Sequence, residues 1–90
     1  MALYGFGYSQ AALAALEKIP KKLKRQIKRR IESLASNPRP PGSKKLKGPA
    51  YRDDLIYRVR QGKYRIIYAI RNNPNQIIVL EIDYRKDVYR

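Results

Sequence analysis

Histidine and cysteine are both missing from the 90-residue sequence, and each absence removes a class of chemistry. Without cysteine there is no disulfide framework and no thiolate nucleophile or metal ligand. Without histidine, acid–base catalysis near neutral pH loses its usual proton carrier, and imidazole-ligated metal sites are excluded. Carboxylates are scarce, seven in all, and none are grouped as a metal cluster. No apolar run reaches the roughly 18 residues of a membrane-spanning helix, and no basic N-terminal region leads into an apolar core. The expectation is a cytoplasmic protein without cofactor, metal or membrane partner.

What is abundant is positive charge. Lys and Arg number 21 against the seven acids, a formal +14. That is far more than solubility requires. It favours a polyanionic partner, with nucleic acid ahead of anionic membrane, over a generically basic surface. Hydrophobic residues make up 43%, enough for one small core, so residues 1–90 read as a single domain.

The stretch from Leu55 to Tyr68 organises the chain. Two alternating runs flank Gln61-Gly62-Lys63, the pattern of a β-hairpin. Successive strand side chains point to opposite faces. Leu55, Tyr57 and Val59 therefore share a face with Tyr64, Ile66, Tyr68 and Ile70 across the turn, while Arg58, Arg60 and Arg65 lie opposite. The apolar face suits a core. Three guanidiniums on the other face are costly neighbours unless an anion meets them, and their planar donor pairs match phosphate oxygens.

Around the hairpin, Tyr4, Phe6 and Tyr8 alternate with glycines as a first strand with its aromatics turned inward. Ser9 is placed to cap a helix over 10–18 that turns Leu13 and Leu16 inward. Pro20 falls in the first turn of a second helix over 21–35. There Leu23, Ile27, Ile31 and Leu34 form one apolar stripe at helical period. Its other face carries Lys21, Lys22, Lys24, Arg25, Lys28, Arg29 and Arg30, which fits a solvated surface and also long-range attraction to a polyanion. Residues 37–50, rich in Pro and Gly, read as a loop anchored by Leu46 and carrying Lys44, Lys45 and Lys47. Asp53-Asp54 read as a turn or cap. After Asn72-Asn73-Pro74-Asn75, a turn, residues 76–82 form a fourth strand, and Glu81 and Asp83 share a face from which they can pair with arginines. The expected fold is α+β: two N-terminal antiparallel helices packed on one face of a small, mainly antiparallel four-stranded sheet.

These residues carry a resemblance. Arg58-Val59-Arg60-x-Gly62-x-Tyr64-Arg65-Ile66-Ile67-Tyr68 with Arg85-x-Asp87-Val88-Tyr89 resembles the RelE toxins of toxin–antitoxin systems. Tyr4-x-Phe6-x-Tyr8-Ser9-x-x-Ala12 and Asn37-Pro38-x-Pro40 through Lys45-Leu46-x-Gly48 extend it over nearly the whole chain. The resemblance implies a ribosome-dependent endoribonuclease that cuts mRNA in the A site without a metal. It also implies a cognate antitoxin in a hetero-oligomer, and ribosomal RNA and mRNA as the other partners. Carried over by position, Arg65 would hold the scissile phosphate, Arg85 would act near the leaving 5′ oxygen and Tyr89 would orient the nucleotide. Arg58 and Arg60 stand where well-studied relatives carry lysines. Arginine cannot give up its proton as a tuned lysine can, which leaves the base to water, the RNA or Tyr89. Lys24, Arg25, Lys28, Arg29, Lys44, Lys45 and Lys47 are the candidate ribosome contacts. Two other readings share the scaffold: a ParE-like inhibitor of DNA gyrase, which has no need of the phosphate-facing set, and a non-catalytic RNA- or ribosome-binding module.

Overall fold

The computed structural model describes residues 4–46, 55–72 and 75–84. The chain runs β1 (Gly5–Tyr8), α1 (Gln10–Glu17), α2 (Lys21–Leu34), β2 (Lys44–Lys45), β3 (Leu55–Gln61), β4 (Tyr64–Arg71) and β5 (Gln76–Tyr84). The strands form one sheet in the order β1-β5-β4-β3-β2. β1 runs parallel to β5, and the remaining pairs are antiparallel. The sheet is therefore mixed and five-stranded, where four strands were expected. The addition is β2, drawn from the Pro- and Gly-rich stretch. Two residues are too few to leave an alternation in the sequence, and only their pairing of Lys44 with Arg58 and Lys45 with Tyr57 reveals them.

The hairpin forms as anticipated. Gln61 pairs with Tyr64, leaving Gly62-Lys63 as a two-residue turn. Such turns need a positive φ at their first residue, and Gly62 supplies φ 62° without a Cβ penalty. Val59, Ile66, Tyr68, Ile77, Val79 and Ile82 meet Leu16, Ile27, Ile31 and Leu34 in one buried cluster. The helices thus cover the hairpin's apolar face, and alternation turns Arg58, Arg60 and Arg65 to the opposite face.

Three inward assignments fail. Phe6, Leu13 and Leu23 remain 43%, 48% and 38% exposed. Phe6 and Leu23 lie near the starts of β1 and α2, and Leu13 lies off the face of α1 that Ala12 and Leu16 turn to the core. In α1 the position that does bury beside Leu16 is Ala12. Pro20 sits one residue earlier than a first-turn proline, at the N-cap of α2, with no side-chain capping bond. Among the described residues, no helix is long and apolar enough to cross a membrane.

Candidate phosphate-facing site

The register of the central strands builds the site. Arg60 lies directly opposite Arg65, and Arg65 lies directly opposite Asp83 on its other side. A row Arg60–Arg65–Asp83 therefore crosses β3, β4 and β5. Arg58 stands two residues along β3 on the same face, with Lys44 of β2 beside it and Ile67 of β4 opposite. Directly opposed residues have Cβ atoms about 5 Å apart and diagonal ones about 7–8 Å. Guanidiniums on long side chains reach easily across such gaps, so Arg58, Arg60 and Arg65 can converge on one anion.

A β-bulge brings the carboxylates to this face. The register between β4 and β5 shifts at Ile67/Tyr68: Ile67 faces Glu81, whereas Tyr68 faces Val79. Leu80 is the extra residue. With strict alternation Glu81 and Asp83 would share a face with buried Ile77 and Val79. The added residue reverses the phase, so that Ile82 enters the core and Glu81 and Asp83 turn toward the arginines. Ser9 holds the bulge to the helix layer. Its hydroxyl accepts from the Ala12 amide at 3.0 Å as the N-cap of α1 and donates to the Leu80 carbonyl at 2.8 Å. Its own amide donates to the Val79 carbonyl.

Charge on the row is partly compensated. Arg65 Nη2 donates to Asp83 Oδ2 at 3.0 Å, with the two side chains 21% and 39% exposed. Arg65 Nε is buried and has no acceptor. The guanidinium is thus held by one donor while another stays unmet, an arrangement able to accept a further anion. Arginine is permanently charged and offers five donors, so binding a phosphate does not require breaking the Asp83 contact. Among the described residues no group of three or more His, Cys, Asp or Glu could hold a metal ion.

The other anticipated contacts divide. Lys44 joins the arginine face, while Lys45, paired with Tyr57, alternates away from it. Arg25, Lys28 and Arg29 are exposed on α2 and Lys24 is half-buried there; these four belong to the helix layer. Lys47, Asp53, Asp54, Arg85 and Tyr89 lie outside the described residues, so the tail half of the expected constellation is not placed.

On the helix side, Tyr68 is fully buried and its hydroxyl donates to the Pro38 carbonyl at 2.6 Å. Burial pushes its pKa up to about 12. Tyr57 stacks on Tyr68 with ring centroids 6.2 Å apart. Arg39 Nε donates to the Tyr57 hydroxyl at 3.0 Å and its guanidinium lies 5.4 Å from that ring's centroid. The sequence shows no sign of this contact, because the aromatic partner of Arg39 is 18 residues away. Tyr8 is likewise raised by burial, with the Glu32 charge adding to the effect.

A helix-backed mixed sheet bearing a cross-strand arginine row defines a class of small basic α+β proteins suited to meeting a polyanion. Residues 7–89 match the family described as the ParE toxin of the type II toxin-antitoxin system parDE. A Methanocaldococcus jannaschii protein named "Putative toxin RelE1" is 35% identical over 81 residues, covering 87% of this chain and 86% of its own. The toxin fold in the crystal structure of the archaeal RelE-RelB complex from Pyrococcus horikoshii OT3 superposes with a TM-score of 0.80 at 27% identity, covering 98% of this chain and 100% of that one. The RelBE2 toxin-antitoxin complex from Mycobacterium tuberculosis gives 0.80 at 23% identity over 97% of each chain, a likeness of fold. The chain belongs to this family and is a toxin of a type II toxin–antitoxin system, in the RelE/ParE superfamily.

Proposed function

We propose that this toxin is a ribosome-dependent endoribonuclease that cuts mRNA in the A site. The observation that carries the reading is the row Arg60–Arg65–Asp83 with Arg58 beside it, on the sheet face away from the helices. In the reaction the 2′-oxygen bonds to the adjacent phosphorus and the bond from phosphorus to the 5′-oxygen breaks. The 2′-hydroxyl proton passes to a base and the 5′-oxygen gains a proton, giving a cyclic phosphate and a free 5′-hydroxyl. Negative charge builds on the non-bridging oxygens, where fixed guanidiniums oppose it.

Arg65 is assigned to the scissile phosphate, with Arg58 and Arg60 stabilising the same charge, Arg85 at the leaving oxygen and Tyr89 against the nucleotide. Neither Arg58 nor Arg60 can serve as the base. Positioning of the RNA by the ribosome therefore supplies a large share of the rate. A cognate antitoxin is the second partner. The reading is supported by the RelE-RelB and antitoxin-toxin complexes among the solved relatives.

The test uses purified toxin and translating ribosomes carrying a defined A-site codon, with mRNA ends mapped by primer extension. Cleavage within that codon is expected, falling about 10²–10³-fold in Arg65→Ala, the scale for loss of one charge-stabilising donor. Intact mRNA with arrested DNA supercoiling would replace this reading with gyrase inhibition. Intact mRNA with ribosome binding retained would leave only the binding module.

A further inference from the structure

The helix layer carries a second cationic feature, on the side of the hairpin away from the arginine row. Gln26, Arg29 and Arg30 follow the i, i+3, i+4 spacing that places residues on one helical face. With Gln61 at the end of β3 they line a cavity of about 330 Å³. Alternation puts Gln61 on the same side of the sheet as buried Val59. No acid is among the four lining residues, and Arg30 Nε is buried with no hydrogen-bond partner. A buried guanidinium nitrogen without an acceptor is a costly arrangement that an oxyanion would relieve.

This cavity adjoins another. Gln26 and Gln61 also border a space of about 280 Å³ whose walls include Leu23, Tyr64 and Tyr84. Tyr84 is 52% exposed, and its ring lies 5.1 Å from that of Tyr64, tilted rather than stacked, which leaves ring surface available. A cationic compartment beside an aromatic one, bridged by two amides, matches the division of a nucleotide into phosphate and base. Aromatic faces accept any base by stacking, and glutamine amides can donate to or accept from its edge.

We infer that the groove between α2 and the hairpin binds one nucleotide of single-stranded RNA, with its phosphate on Arg29 and Arg30 and its base against Tyr84. The hairpin would then meet RNA on both faces: a cleavage face at Arg58, Arg60 and Arg65, and a holding site behind it. The choice of RNA as ligand rests on the function proposed above. The phosphate-and-ring chemistry does not.

The test measures binding of a short single-stranded oligoribonucleotide to the full chain by fluorescence anisotropy across a salt series, with amide NMR as a site reporter. Arg30→Gln is expected to weaken binding about ten-fold and to reduce the salt slope by about 0.7, the value for one single-strand phosphate contact. Arg29→Gln, at an exposed position that does not threaten folding, should weaken binding several-fold. Tyr84→Ala should cost roughly ten-fold and Tyr84→Phe little, as stacking predicts. The side-chain amides of Gln26 and Gln61 should shift on adding RNA, also in Arg65→Ala. Unchanged affinity in Arg29→Gln and Tyr84→Ala, or phosphate-induced shifts that RNA neither reproduces nor displaces, would overturn the inference. Ribosomal cleavage is scored separately. RNA bound in this groove by a toxin that leaves mRNA intact would refute the endonuclease reading alone, and cleavage with no effect of these variants on RNA binding would refute the groove alone.

Discussion

The two faces of the β3–β4 hairpin are made from alternate residues of the same two strands yet are held by different forces. Facing the helices, Val59, Ile66 and Tyr68 are 1% exposed or less, locked by contact with Ile27, Ile31 and Leu34. Facing away, Arg58 and Arg65 stay half-buried and Arg60 exposed, and Arg65 forms an ion pair with Asp83. Close packing is short-ranged, insensitive to salt and intolerant of lost volume. Charge is longer-ranged, screened by salt and nearly indifferent to volume. Changes on one face should therefore read out as stability, and changes on the other as binding and rate.

The largest expected effect lies on the packed face. Ile31→Ala removes a fully buried side chain from beneath the sheet and should cost about 2–5 kcal/mol in denaturant unfolding. Arg65→Ala, the variant expected to slow cleavage most, should cost less than about 1 kcal/mol, since its ion pair is partly exposed. Equal losses of stability in the two would erase the distinction between the faces.

Next comes the polar group inside the packed face. Tyr68 has its pKa raised from 10.0 to about 12 by burial. The folded state therefore keeps the phenol proton over a range in which the unfolded chain releases it. This contribution is fully present below pH 10 and is lost as pH rises from about 10 through about 12. Two units correspond to roughly 2–3 kcal/mol. Tyr68→Phe should flatten the alkaline decline in stability relative to the parent. An unaltered decline would assign it to other tyrosines.

Ser9 links the faces, and its effect should be smaller. Ser9→Ala removes the N-cap of α1 and the hydroxyl bond to Leu80, at a cost of about 1–2 kcal/mol. Because that bond is made at the bulge, amide exchange should quicken around Leu80 and Glu81 as well as in the first turn of α1. Faster exchange in α1 alone would separate the cap from the sheet register.

This bulge also marks where the sequence ceased to be legible. The hairpin, the Ser9 cap, the α2 stripe from Ile27 to Leu34 and the arginine face follow from local patterns, and each appears in the structure, while Leu23 at the start of the stripe stays exposed. The reversal that brings Glu81 and Asp83 to the arginine face depends on Leu80 being an extra residue, and Ile77 through Leu80 is too uniformly apolar to show it. β2 and the parallel pairing of β1 with β5 are long-range contacts that leave no local pattern. The arginine cluster could be read because alternation and a short turn fix the facing of two strands that are adjacent in sequence. Its pairing with Asp83 could only be suspected, because it joins two strands 18 residues apart in sequence.

The smallest effect on stability is also the most informative about the arginine face. Asp83→Asn keeps the side chain's size and removes its charge, leaving Arg65 without its ionic partner. Unfolding should change by less than about 1 kcal/mol, the scale of a partly exposed pair. The effect on RNA should be opposite in sign. With one negative charge removed beside Arg65, affinity for an oligoribonucleotide should rise at low salt and the gain should fade as salt screens it. If Asp83 chiefly holds Arg65 in position, cleavage on the ribosome should fall even as binding tightens, because Arg65 gains freedom that must be lost again in the transition state. Tighter binding together with faster cleavage would instead make Asp83 a competitor for Arg65, occupying a donor that the phosphate needs.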